Sequence, residues 1–152
     1  MTTLAALAPL LRLWSRFVAA LEALQPAAQL GARLYVAQVF FMSGLTKIHD
    51  WDTTLALFAD EYQVPLLPPP VAAVMGTAGE LVLPVLLLLG LGGRFAALGL
   101  SVVNAVAVLS LGEIAPAALQ QHVFWGSLLL ALVLWGPGKW SLDSLLAPRL
   151  AA

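Results

Sequence analysis

Pro70-Val71-Ala72-Ala73-Val74-Met75-Gly76-Thr77-Ala78-Gly79-Glu80-Leu81-Val82-Leu83-Pro84-Val85-Leu86-Leu87-Leu88-Leu89-Gly90 is the stretch that decides the fold. It holds one charged residue, Glu80, and is long enough to cross a hydrocarbon core, which needs about 20 helical residues at about 1.5 Å each. Pro68-Pro69-Pro70 opens it and Gly90-Leu91-Gly92-Gly93 closes it, the punctuation of a helix start and stop. Working outward, the segments 30–48, 95–111 and 117–135 read as three more spans. The Gly92-Gly93-Arg94 link is so short that the second and third spans must be antiparallel neighbours. Trp135-Gly136-Pro137-Gly138 ends the fourth.

Composition agrees with a bilayer setting. The 152 residues amount to one domain; 61% are apolar and 10% charged, against about 25% charged in a soluble domain. A soluble fold of this size would leave large apolar patches facing water. A formal charge of −1 offers no basic field for nucleic acid. The absence of cysteine excludes disulfides, thiolate metal sites and iron–sulfur ligation by this chain. The reading is an all-α integral membrane four-helix bundle with an N-terminal interfacial amphipathic helix.

That helix is expected over residues 1–28, with the membrane domain over 29–146, an outer loop at 49–69 and a cytoplasmic tail at 147–152. Leu7, Leu10, Leu11, Trp14, Phe17, Val18 and Leu21 recur at helical spacing, while Arg12, Ser15, Arg16 and Glu22 fall mainly elsewhere on the wheel. As a span it would carry two arginines near mid-bilayer, at about 2.5–3.5 kcal/mol each, which its leucines do not offset. No charged segment precedes its apolar run, as a signal peptide requires. An interfacial helix with arginines toward phospholipid headgroups is the better reading.

In a four-span topology Arg12, Arg16, Arg33, Arg94, Lys139 and Arg149 share one side. Lys47, Asp50, Asp52, Asp60, Glu61 and Glu113 share the other. The positive-inside rule then places both termini in the cytoplasm and the 50–69 and 112–116 loops outside. Trp51, Trp135 and Trp140 fall at span ends, as in an aromatic belt. Within the outer loop, Asp52 is a candidate N-cap for a short helix whose Leu55, Phe58, Ala59 and Tyr62 share a face. Such a helix rests on the membrane surface or forms a lid over a site opening outward.

Glu80 is the leading candidate for chemistry. It lies about ten residues into its span, hence about 15 Å deep, where an ionised carboxylate must be protonated, paired or facing a wet cavity. Its neighbours Ala72, Gly76, Thr77 and Pro84 are mostly small, which turns it toward another helix. Lys47 is the partner candidate, either reaching Glu80 directly or through water, or snorkelling outward. Arg33 and Lys47 lie within about 40° of each other on the wheel and Gln38 about 180° from Lys47, so Gln38 faces away if the cations face inward. His122, with Trp125 adjacent and Gly126 one turn below, is a proton relay, a hydrogen-bond donor or a neutral interfacial histidine. Asn104 reads as helix–helix glue or as part of a binding site with Trp125.

His49 with His122 could be imagined as haem ligands, and Met42 and Met75 with the histidines as copper(I) ligands. The loop-entry position of His49 and the packing role of membrane methionines count against both, so no haem and no metal site is expected. No nucleotide loop, zinc motif or nucleophile triad is present.

Arg33 at the start of the first span, Phe41-Met42-Ser43-Gly44-Leu45-Thr46-Lys47, Gly79-Glu80, Gly90-Leu91-Gly92-Gly93-Arg94 and Trp135-Gly136-Pro137-Gly138-Lys139-Trp140-Ser141-Leu142-Asp143 together resemble the DoxX family, over roughly residues 30–145. The resemblance implies a four-helix bacterial inner-membrane protein. The family takes its name from a relative of a thiosulfate:quinone oxidoreductase subunit; other relatives accompany systems that make copper-related peptides. Arg33, Lys47, Glu80, Arg94 and Asp143 are the positions that match family patterns.

The functional expectation is a quinone-interacting subunit of a membrane oxidoreductase. Glu80, Lys47 and His122 would be the catalytic groups, Asn104 and Trp125 would complete the quinone site, and a protein partner would supply electrons. Homo-oligomerisation is compatible with this. The alternative is a non-enzymatic membrane partner or carrier for a secreted peptide, metal or lipid. Arg33, Arg94 and Asp143 are expected to form a structural charge cluster in which Asp143 pairs with one of the arginines. Ser141 is the candidate cap of a short terminal helix.

Overall fold

In the computed structural model, which describes residues 2–150, the chain is all-helical. Six helices follow one another among the described residues: α1 (Thr2–His49), α2 (Trp51–Asp60), α3 (Pro69–Leu89), α4 (Gly93–Leu109), α5 (Pro116–Trp135) and α6 (Leu142–Leu150). α1 packs on α3, α3 on α4 and α4 on α5, and α5 returns to α1. α2 lies across the α3 end of this group.

The helix ends follow the proline and glycine punctuation to within two residues. Pro68 caps α3 and Pro69 opens it, a position where the missing N–H costs no hydrogen bond. Gly90 ends it in the left-handed conformation, at φ 65°. A side chain at Gly90 would be doubly excluded, because a Cβ there would lie 2.4 Å from that of Ser141. α3 and α5 are each long and apolar enough to cross a membrane, while α4 is a shorter apolar helix of 17 residues. Their outward faces suit lipid: Val82, Leu98, Val102, Leu130 and Leu134 are all more than half exposed.

α1 departs from the expectation. The expected helix over 1–28 is, in its described part, not separate, because 2–49 form one helix that passes through Pro9 and Pro26. At about 1.5 Å per residue its 48 residues extend about 70 Å, more than twice the hydrocarbon thickness. Pro26 removes one backbone hydrogen bond, yet Leu24 and Gln25 before it and Ala27 and Ala28 after it are strong helix formers, and no glycine adjoins it. Leu10, Leu11, Trp14 and Leu24 are exposed, and burial begins only near Ala32.

The main core joins Val36 and Phe40 of α1, Leu87 of α3, Ala96, Ala97 and Leu100 of α4, and Leu129 and Leu132 of α5. Alanine dominates the α4 face, which lets its neighbours approach closely. A smaller cluster sets Phe58 of α2 on Ala72 and Ala73 of α3. The two ends of the group differ in chemistry. One carries Arg33 and the other Lys47.

At the Arg33 end, Arg33, Asp143 and Arg94 each bond a helix end. Arg33 is 1% exposed, and its guanidinium donates to Leu87 O at 2.8 Å, Leu88 O, Pro137 O at 3.0 Å and Trp140 O at 2.7 Å. The first two are carbonyls of the last turn of α3, where intrahelical donors run out; Leu87 O also accepts from Gly90 N at 3.1 Å. Asp143 does not form the expected direct pair with an arginine. Its oxygens accept from Gly92 N and Gly93 N, each at 2.8 Å, at the positive start of α4. Arg94 donates instead to Leu134 O at 3.3 Å. Ser141 accepts from Ser144 N at 3.2 Å and caps α6.

Candidate functional site

At the Lys47 end the helices enclose a cavity of about 370 Å³. Its construction starts at Gly44. A Cβ there would meet the Leu81 side chain at 2.8 Å and the Glu80 carbonyl carbon at 3.2 Å, so glycine is what lets α1 and α3 approach at this level. Lys47 is one turn further along α1, on the same face as Gly44. Its Nζ donates to Glu80 Oε2 at 2.6 Å and to Ser43 Oγ at 2.9 Å. Side-chain exposures of 20% and 10% make this a partly buried ion pair. Gln38, on the opposite side of α1, is exposed, as the wheel angle requires.

Two N–H groups of the ammonium are thus engaged, and no group among the described residues takes the third. Glu80 uses Oε2 for Lys47 and keeps its other oxygen. The walls between these groups are apolar: Val39 and Phe40 from α1, Gly76 from α3, Val103, Val106 and Ala107 from α4, and Trp125 from α5. Phe40 and Trp125 meet edge to face with centroids 6.0 Å apart. Trp125 Nε1 points to Tyr35 Oη at 3.4 Å.

His122 enters the same cavity from α5. Its Nδ1 lies 2.8 Å from Asn104 Oδ1, and Asn104 Nδ2 donates to the His122 carbonyl at 3.0 Å. Asn104 is therefore glue between α4 and α5, the first of its two expected roles, and is not among the residues that line the cavity. The reason is reach: both ends of its short amide are used on His122.

The cavity is roofed by α2 and the segment after it. Asp50, rather than Asp52, caps α2: it accepts from Thr53 N at 3.0 Å and from Thr53 Oγ1 at 2.7 Å. One residue separates α1 from α2, so the cap falls where the chain turns. The two Thr53 hydrogen bonds hold the Asp50 carboxyl below the usual aspartate range. Phe58 is buried, Leu55 half-buried, and Ala59 faces outward instead of joining them. Tyr62 packs edge to face on Phe58, and burial followed by the charges of Glu61 and Glu80 raises its phenol above the ordinary range. Gln63 N donates to Ser110 O at 2.8 Å, and Tyr62 bridges to Leu111, which ties the roof to the end of α4.

The geometry thus brings Lys47, Glu80, His122 and Trp125 to one chamber. His49 is not there, and Met42 and Met75 are exposed elsewhere. Arg33, Arg94 and Asp143 belong to the opposite end of the helices. Tyr62 joins the chamber as part of its roof, in line with the lid reading of the outer loop, while Ser43 and Ser110 join it without having been singled out. Ser43 left a signal, being one helical turn before Lys47.

A family model described as DoxX matches residues 28–113, more than half of the chain, and the chain belongs to the DoxX family of membrane proteins. The match takes in Lys47, Glu80 and Asn104 and ends before α5, so His122 and Trp125 lie outside it. No curated protein and no solved structure matches the chain.

Proposed function

We propose that this DoxX-family membrane protein is a quinone-binding subunit of a membrane oxidoreductase, with the quinone ring in the cavity at the Lys47 end. The observation that carries the reading is the union of an apolar slot of about 370 Å³ with an ion pair and a histidine in one chamber. Ligand pockets run from about 300 to 1,000 Å³, so this chamber suits a ring and not a long tail. Phe40, Val103 and Trp125 offer the walls a flat ring needs. The free N–H of Lys47 is a donor for a ring carbonyl. A bound quinone would supply the exchange of electrons coupled to protons, with the electrons coming from a partner protein. Glu80, through its second oxygen, and His122, through Nε2, hold or release protons inside the chamber.

In this reading α1, α3, α4 and α5 span a bacterial inner membrane as a four-helix bundle. The Arg33 end faces the cytoplasm by the positive-inside rule and the cavity opens toward the outer face. The N-terminal part of α1 emerges on the cytoplasmic side, where Arg12 and Arg16 meet phospholipid headgroups.

The test is organic extraction and a redox difference spectrum of the gently purified protein beside Glu80→Gln. Near-stoichiometric quinone in the parent and its loss from a folded variant support the proposal. A parent free of quinone that also binds none on addition overturns it and favours a non-enzymatic carrier or partner.

A further inference from the structure

Both ends of the Asn104 amide are committed to His122, and this selects the tautomer of the neutral imidazole. The His122 carbonyl can only accept, so the amide nitrogen must be the group that faces it at 3.0 Å. That leaves the amide oxygen, an acceptor, 2.8 Å from Nδ1. Nδ1 must therefore carry the hydrogen, and in the neutral ring Nε2 is a bare lone pair. No protein group among the described residues bonds Nε2, and the ring lines the cavity. Gly126 provides the room for this clamp: a Cβ there would press on Asn104 Nδ2 at 3.3 Å.

We infer that His122 Nε2 is an acceptor by which the cavity selects the hydroxyl-bearing, reduced form of the ring, and that Asn104 is the positioning residue that fixes this state. The inference rests on the quinone reading of the cavity. Lys47 donates from α1, and His122 accepts from α5. A quinol has an oxygen for the first and an O–H for the second; a quinone, with acceptors only, satisfies Lys47 alone. Protonation of His122 turns Nε2–H into a donor, which a quinone carbonyl and a quinol oxygen can both accept, and so removes the part of the preference that His122 supplies. The ratio of quinol to quinone affinity therefore rises with pH through the His122 titration. The charged and titratable groups sharing the chamber are Lys47 from α1, Glu80 from α3 and Tyr62 after α2. Lys47 opposes the imidazolium and Glu80 favours it, so they move the midpoint without altering the direction.

The test is anaerobic equilibrium dialysis of the full chain in lipid nanodiscs against tetramethyl-1,4-benzoquinol, its dimethyl ether and the matching quinone. The range is about pH 5 to 8, where imidazole titrates. Above the midpoint the quinol binds about three- to tenfold tighter than the ether or the quinone, the worth of one hydrogen bond. Asn104→Asp places a carboxylate against Nδ1–H, stabilises the imidazolium and moves the midpoint to higher pH. Asn104→Leu removes the pH dependence of the ratio while the quinone still binds. Equal binding of quinol and quinone at every pH, or an unmoved midpoint in Asn104→Asp, overturns this inference and leaves the quinone site standing. Failure of all three probes to bind overturns both.

Discussion

Lys47 Nζ lies 2.6 Å from Glu80 Oε2, so the charge on α1 and the charge on α3 meet inside the packed helices beside a cavity. Each ion is partly desolvated, and each makes the other tolerable there. Lys47→Met or Glu80→Gln alone strands the remaining charge and lowers stability by about 1–3 kcal/mol, less than a fully buried pair because both groups keep some exposure. The double variant recovers part of the loss. A double-mutant cycle from thermal unfolding in detergent checks this, and strictly additive losses would show that the pair is not coupled.

Gly44 sets how closely α1 and α3 approach next to that pair. Gly44→Ala introduces contacts of 2.8 Å to Leu81 and 3.2 Å to the Glu80 backbone. Leu81 can swing away but the backbone cannot, so the helices separate by a few tenths of an ångström, at about 1–3 kcal/mol for overpacking. Ligand binding weakens along with stability. An unchanged melting temperature would refute this account of the glycine.

Arg33 holds the segment after α5 by donating to Pro137 O and Trp140 O as well as to the end of α3. Arg33→Lys keeps the charge but loses the fork that reaches several carbonyls at once. A loss of about 2–4 kcal/mol is expected, since several buried carbonyls lose a charged donor. Limited proteolysis reads the effect directly: cleavage in 136–150 should speed up while α3 to α5 stay protected.

Asp143→Asn keeps an acceptor for one of the two amides at the start of α4 but gives up the negative charge at that helix end. The loss should be about 0.5–1.5 kcal/mol, with ligand binding at the far end intact. Loss of binding in a folded Asp143→Asn protein would mean that the two ends are coupled.

Asp50 gives the roof a pH dependence whose sign is fixed. Its carboxyl is held below the unfolded value, so the cap's contribution is complete above that unfolded value and is lost as pH falls through the depressed folded value. Hydrogen exchange in 51–60 should therefore accelerate on acidification below the usual aspartate range. In Asp50→Asn, which still caps but does not titrate, the acceleration attributable to this group should disappear.

Much of this was legible in the residues themselves. Helix ends followed Pro68–Pro70, Gly90–Gly93 and Gly136–Gly138 because proline and glycine act locally on the backbone. The Lys47–Glu80 contact was one of two readings that depth and side-chain reach allowed, the other being a lysine that snorkels outward, and the structure shows the contact. Asp50 displaced Asp52 as cap because the turn between α1 and α2 is a single residue, which periodicity does not reveal. Asp143 went to the amides of Gly92 and Gly93 because the orphan N–H groups of a helix start compete with arginine for a carboxylate. Ser110 reached the chamber through the strand-like crossing of 62–63 on 110–111, a tertiary contact that leaves no pattern in the sequence.

The most direct test of the account is photolabelling with a short-tailed azidoquinone in nanodiscs, followed by peptide mapping. Labels confined to Val39–Lys47, Gly76–Glu80 and His122–Trp125, displaced by unlabelled quinone and absent from a folded Lys47→Met/Glu80→Gln protein, are the predicted result. Labels spread over the lipid-facing residues Leu98, Val102 and Leu130, unaffected by competitor or by the double substitution, would contradict a quinone site at the Lys47–Glu80 pair.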